Sequence, residues 1–425
     1  MTIYPLNATQ EDMLRESDME TMESGYLVTV YAEYPAKHLS FNEAVTACQK
    51  VLDTLHYTHV HLIRQADGQL MVSEATDMPN NVWCYKMSYQ EWQSRKPEFS
   101  RPYKLLEEPG VRLGVIETED KTIITYSYCH IFFDGISIKL VCSAVDDAIN
   151  GEPLEDQDDI AAVWNMEEIP SYGSEAYQRA RQIVCEKFKG LKYTDICRKT
   201  DNPWGKTIRV SYMLSYDRMS HIRLYSGALT EEQQHTMMTT ICVAAYAMAL
   251  GQMAGTTDVF FMTTNHGRMD KRLRGNVMGC FLKSLSLRID VNPEQSVAEL
   301  IAQTRTALFG CMRTLIYPWT HQMRDLQVPP EEQVGTEMNV NNAGIYEYSH
   351  VHGVDYPSYH IEMPESEQHI FLVVQMREEG LTFNVEGSDA LYTQEQLDTM
   401  ARLTGEYVLQ LIGDQRKKIG SIQIT

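Results

Sequence analysis

His130 lies in the run Tyr128-Cys129-His130-Ile131-Phe132-Phe133-Asp134-Gly135, an imidazole followed four residues later by a carboxylate and then a glycine. An imidazole is suited to accept a proton near neutral pH, provided one ring nitrogen faces a cleft while the other is held. An aspartate just ahead of a helix satisfies its first amides, and a glycine beside it permits a tight turn or close approach of backbone to a ligand. His130 is therefore the candidate proton acceptor, with Asp134 and Gly135 shaping its loop. H-x-x-x-D is a short and common pattern, and a half-buried, satisfied histidine fits it too. Cys129 is not a nucleophile activated by His130, because neighbouring side chains on a strand point to opposite faces; a small buried thiol is its expected role.

The elements around this run are legible. VRLGVIETEDKTIITYSY reads as a hairpin turning at Glu119-Asp120-Lys121, its second strand ending at the histidine, and ISIKLVCSAVDDAI reads as the helix that follows. Capping boxes at Ser40/Glu43, Thr230/Gln233, Ser296/Glu299 and Thr393/Gln396 open four further helices. Strands are expected from Val259, Phe281, Phe371 and Leu381. Helices and strands alternate through both halves, a layered α/β architecture. The acidic stretch from Gly151 to Pro170 is the best boundary, giving an N-terminal lobe 1–165 and a C-terminal lobe 166–425.

A chain of 425 residues, 43% apolar and 22% charged, folds as more than one core. Its net charge of -21 excludes nucleic acid as a general partner. The nine cysteines include no C-x-x-C pair, so reduced thiols and no metal are expected. The N-terminus lacks a secretory pattern, and the apolar run Ile241 to Leu250 is too short to span a bilayer; a buried helix and a cytoplasmic protein without membrane contact are expected. GRMDKRLRGN clusters Arg268, Lys271, Arg272 and Arg274, either a solvated ion-paired loop or an anion-docking patch.

Cys129 to Gly135 resembles the HHxxxDG signature of the condensation domains of nonribosomal peptide synthetases, acyltransferases built like chloramphenicol acetyltransferase. The likeness continues in order along the chain. YPLNATQEDML is similar to the family's opening YPLTPMQEGML; Met278 to Arg288 resembles IGxFVNTxxxR through Gly279, Phe281 and Arg288; Tyr317-Pro318-Trp319 stands where the family has Tyr-Pro-Phe; and KKIGSIQI resembles its close. The resemblance implies two chloramphenicol-acetyltransferase-like lobes in a V-shaped pseudo-dimer with a tunnel at their interface. It implies that His130 positions or deprotonates an amine or hydroxyl attacking a thioester, with Asp134 architectural and the amides around Gly135 facing the oxyanion. Cys129, Gly279, Phe281, Arg288 and Asn341 are then tunnel candidates, although Asn341, with Asn339 and Asn342, reads more readily as a turn-forming strand end. Arg268 and Arg272 are candidates for docking a carrier or a pantetheine phosphate.

The implied enzyme is free-standing and binds no cofactor of its own. Its donor is the phosphopantetheine arm of an acyl or peptidyl carrier protein acting in trans, or coenzyme A; an adenylation enzyme loads the carrier, and a small amine or alcohol accepts the acyl group. Departures from the pattern bear on activity. Cys129 replaces the first signature histidine, Lys283 and Ser284 replace Asn and Thr, and Tyr172 to Ala176 barely resembles YxDFAxW. Both arginines of RHExLRTxF are missing from Leu55 to Ile63, so Asp134 must pair with helix amides or with Arg288. Three alternatives stand: a coenzyme A-dependent acyltransferase, a silent carrier-docking homologue, and an epimerisation domain, the last disfavoured because Thr264 stands where that branch needs a glutamate.

Overall fold

The computed structural model describes residues 2–15, 27–76, 78–156, 160–219, 231–333, 335–341, 346–362, 365–366, 368–377 and 379–422. The chain forms two compact units. Unit 1 comprises 1–172, 266–282 and 345–364, and unit 2 comprises 173–265, 283–344 and 365–425. This differs from the expected division at 165/166. The first crossing comes after Tyr172, and two later segments pack into unit 1, so Gly279 and Phe281 belong with His130 rather than with the second lobe.

Unit 1 is built on a six-stranded sheet with spatial order Tyr348–Val351, Val354–His360, Leu27–Pro35, Lys121–Cys129, Val111–Glu117 and Trp83–Lys86. All pairs are antiparallel except the last, and the expected hairpin pairs Val111 with Tyr128 and Glu117 with Thr122. Alternation along these strands sorts the two faces. Val30, Ala32, Tyr34, Ile124, Tyr126 and Tyr128 join the main core with helices Phe41–Thr54 and Gly135–Ile149, whereas Tyr31, Ile116 and Ile123 pack against Trp92 in a separate cluster. A small sheet adds Ile3–Pro5, Leu70–Ser73 and His61–Arg64.

Unit 2 carries a seven-stranded sheet ordered Lys283–Asp290, Asp258–Asn265, Glu337–Asn341, Phe371–Met376, Gly380–Ser388, Gly205–Ser215 and Glu365–Ser366. Glu337–Asn341 runs parallel to both neighbours, and the other pairs are antiparallel. The strand expected from Phe281 starts at Lys283, because Phe281 is claimed by the core of unit 1. Helices Val297–Met312 and Gln394–Ile412 open on full capping boxes at Ser296/Glu299 and Thr393/Gln396. Ser40 caps its helix by accepting from the Glu43 amide, and Thr230 lies outside the described residues. Among the described residues one helix, Gln233–Ala254, is long and apolar enough to cross a membrane, unlike the shorter run Ile241 to Leu250, read as too short to do so; most of it is buried in the core of unit 2, the buried helix expected there.

Candidate active site

His130 follows the last residue of Lys121–Cys129 and is half-buried, while Ile131, Phe132 and Phe133 beyond it are fully buried. Apolar burial of three successive side chains pins a loop that has no regular structure of its own. Its backbone is held as well: the amides of Phe132 and Phe133 donate to the Cys129 carbonyl, Gln10 Nε2 donates to the Ile131 carbonyl at 3.0 Å, and Tyr57 Oη donates to the Phe132 carbonyl at 2.9 Å. The imidazole meets the Tyr128 ring edge-on, with centroids 5.9 Å apart.

Nδ1 of His130 is buried and makes no hydrogen bond. Burial lowers the imidazole pKa from its ordinary value, partly offset by the Asp134 charge and by backbone groups of His130 and Phe133. That direction favours the neutral imidazole, the form able to accept a proton.

Asp134 caps the helix Gly135–Ile149. Its Oδ1 accepts from the Ser137 amide at 2.8 Å and from Arg268 Nη2 at 2.8 Å, and its Oδ2 accepts from Arg268 Nε at 3.1 Å. Arg268 donates further to the carbonyls of Leu273 and Val277 and to Ser137 Oγ, so all five of its N–H groups are used. Side chains of both ions are only 2–3% exposed, and the guanidinium carbon lies 4.8 Å from the centre of the Phe281 ring. Ser137 Oγ sits 2.7 Å from Asp134 Oδ1 and 2.8 Å from the Gly279 carbonyl, and its single proton serves one of them; it also accepts from the Gly279 amide at 2.9 Å. Both carboxylate oxygens of Asp134 are thus occupied within unit 1. Among the described residues the amides of Gly135 and Ile136 have no partner, so the helix start retains donors beside a half-buried glycine.

The structure thus brings together His130, Asp134, Gly135, Gly279 and Phe281 and adds Ser137, Gln10 and Tyr57, which sequence reasoning passed over. Ser137 had one signal, its place three residues after an N-cap aspartate. Other assignments change. Arg268, expected to dock a carrier or phosphate, is buried against Asp134 and cannot meet one. Arg288, offered as the partner of Asp134, pairs with Asp258 through bonds of 2.8 and 2.7 Å within unit 2. Arg272 is exposed and ion-paired with Asp270 and Glu167, as the solvated-loop reading has it. Cys129 is buried with its thiol pushed up to about 12 by burial, which suits packing and not nucleophilic attack. Asn341 ends a strand, Asn342 lies outside the described residues, and Asn339 is committed to the Thr264 amide at 2.8 Å and to Glu337 at 2.8 Å. Thr264 itself donates to Glu337, whose carboxyl is raised by burial.

The Condensation domain family matches residues 1–425. Surfactin synthase subunit 1 of Bacillus subtilis (strain 168) is 20% identical over 436 aligned positions, which take in 99% of this chain but 12% of that protein. Gramicidin S synthase 2 of Brevibacillus brevis is 21% identical over 357, covering 80% of this chain and 8% of its own length. The chain therefore spans a small part of these relatives. Among solved structures, a variant starter condensation domain of rhizomide synthetase in complex with C8-CoA superposes with TM-score 0.79 at 17% identity, over 99% of this chain and 98% of that one. The X-domain from teicoplanin biosynthesis gives 0.81 at 15% identity, over 99% and 97%. The first condensation domain of the calcium-dependent antibiotic synthetase, with a substrate analogue, gives 0.79 at 15% identity over both whole chains. The ordered motifs, the family match along the full length and the shared fold agree: the chain belongs to the condensation-domain family of nonribosomal peptide synthetases.

Proposed function

We propose that this chain forms an amide or ester bond by transferring an acyl or aminoacyl group from a thioester to an amine or hydroxyl, with His130 as the base. The observation that carries the reading is a half-buried imidazole on a loop fixed by its own apolar residues, beside a helix start with spare amide donors. As the nucleophile attacks the thioester carbonyl, His130 Nε2 takes its proton and the amides of Gly135 and Ile136 face the developing oxyanion. Collapse expels the thiolate, which takes the proton back from the imidazolium. No covalent enzyme intermediate is needed, so most of the acceleration falls to holding both reactants in place, an effect worth about 7–11 kcal/mol.

The donor we favour is the phosphopantetheine arm of a carrier protein loaded by an adenylation enzyme. One neighbour's complex with C8-CoA supports an acyl-coenzyme A as the alternative. Lys271 and Arg274 are exposed cations of the loop that could meet an acidic carrier, whereas Arg272 is already paired with Asp270 and Glu167. Incubating the protein with an amine and either an acyl carrier or the matching acyl-coenzyme A, followed by intact-protein mass spectrometry, separates the two. Carrier unloading that depends on both protein and amine supports the first donor; transfer from the coenzyme alone supports the second.

Two observations favour a silent homologue. His130 Nδ1 lacks the hydrogen bond that would fix its tautomer, and Cys129 stands where the family has another histidine. That protein would bind a loaded carrier and leave its thioester intact in the same assay.

A further inference from the structure

We propose that Asp195, Cys197 and His369 of unit 2 form a site for a thiophilic divalent cation of the Zn2+ class. One donor atom from each residue lies within 4.8 Å of the others, and all three residues are half-buried, so an ion can reach them while water is thinned around it. Carboxylate, thiolate and imidazole together suit Zn2+, whereas Mg2+ and Ca2+ take oxygen ligands.

The loop that carries two of the ligands is preformed. The Thr194 amide donates to the Phe260 carbonyl at 2.8 Å, the Arg198 amide to the Leu391 carbonyl at 2.8 Å, and Gln396 Nε2 to the Ile196 carbonyl at 3.3 Å. Between these anchors Asp195 Oδ1 accepts from its neighbours' amides, Ile196 at 2.6 Å and Cys197 at 3.0 Å, which folds the thiol back toward the carboxylate. His369 Nδ1 stands 2.5 Å from Asp195 Oδ2. The fully buried Tyr392 donates its hydroxyl to the same carboxylate, 2.7 and 2.9 Å from its two oxygens, as an outer partner that orients a ligand does.

Burial and Asp195 push the Cys197 thiol up to about 11. A divalent ion between the three donors reverses that balance: the thiol gives its proton to solvent, the S–H bond is replaced by a metal–sulfur bond, and Asp195 Oδ2 turns from the imidazole to the ion. Three protein ligands leave a fourth position for water. The ion would staple the loop before the strand Gly205–Ser215 to the start of Phe371–Met376, a role independent of His130 chemistry.

The test is a titration of the chelator-stripped full chain with Co2+ under reducing conditions. One equivalent should give the near-ultraviolet sulfur-to-cobalt band and visible tetrahedral bands, all displaced by Zn2+. Cys197→Ser should abolish the charge-transfer band, and Cys197→Ser and His369→Gln should each weaken Zn2+ binding by at least about 100-fold, while Tyr392→Phe keeps the band and loses about 10- to 100-fold in affinity. Matching apoprotein melts establish that these variants fold. Absence of a one-to-one band, a band that survives Cys197→Ser, or affinities unchanged in both ligand variants overturns the proposal.

Discussion

A guanidinium with all five N–H groups used, set against a carboxylate with both oxygens used, is a fixed brace under the His130 loop. Removing one ion of such a pair strands the other without solvent, a loss of about 3–5 kcal/mol, whereas replacing both with apolar groups of similar size costs much less. Arg268→Met should therefore destabilise the protein by about that amount in urea unfolding, and the double variant with Asp134→Leu should be less unstable than the two single losses added. His130 itself was legible because its motif is contiguous. Arg268 was not, because it reaches Asp134 across 134 positions of sequence; read locally, it was one cation of a basic run. The lowered pKa of His130 makes a further prediction. The base is lost only as pH falls through a value below its usual 6.5, so kcat/KM should be level at neutral pH and decline below that point.

The segment 266–282 delivers Arg268, Gly279 and Phe281 to the helix that begins at Gly135, and its path depends on glycine where the chain is tight. Gly267 has φ +68°, and a Cβ there would stand 1.6 Å from the Phe281 carbonyl oxygen. Gly275 has φ +85° with nothing within 4 Å of such a Cβ. Gly275→Ala should cost about 1–2 kcal/mol from backbone strain alone. Gly267→Ala must also move the chain that seats Arg268, so thermal melts should show the larger loss and turnover should fall with it. The hairpin and the capped helices were readable because turn and cap residues act locally. The strand Val354–His360 was not: its residues are mostly exposed, Pro357 removes an amide, and its place beside Leu27–Pro35 is fixed by a distant partner.

Interleaving is what the sequence could not display at the scale of the whole molecule. A composition change near Gly151–Pro170 marks the neighbourhood of the first crossing, but nothing local tells that 266–282 and 345–364 return to unit 1. The excess of negative charge is offset at particular points, as at His56, which lies 2.7 Å from Asp156 and 3.4 Å from the buried Glu74. Glu74, with Asp156, raises its pKa to about 9 against the opposing effect of burial. A raised histidine stabilises the fold fully below its unfolded value of about 6.5, and that contribution disappears as pH rises through 9. Wild type should therefore exceed His56→Gln by about 1–3 kcal/mol in urea at pH 6, with the gap closing by pH 10. The proton acceptor remains the centre of the account. Its most direct test is the single-turnover rate of acyl transfer by His130→Ala beside wild type, with the same loaded donor and amine and with matched melting curves. Loss of a general base predicts a rate lower by about 10²–10⁴ that no longer varies with pH below neutrality; an unchanged rate, with the acid limb intact, would contradict it.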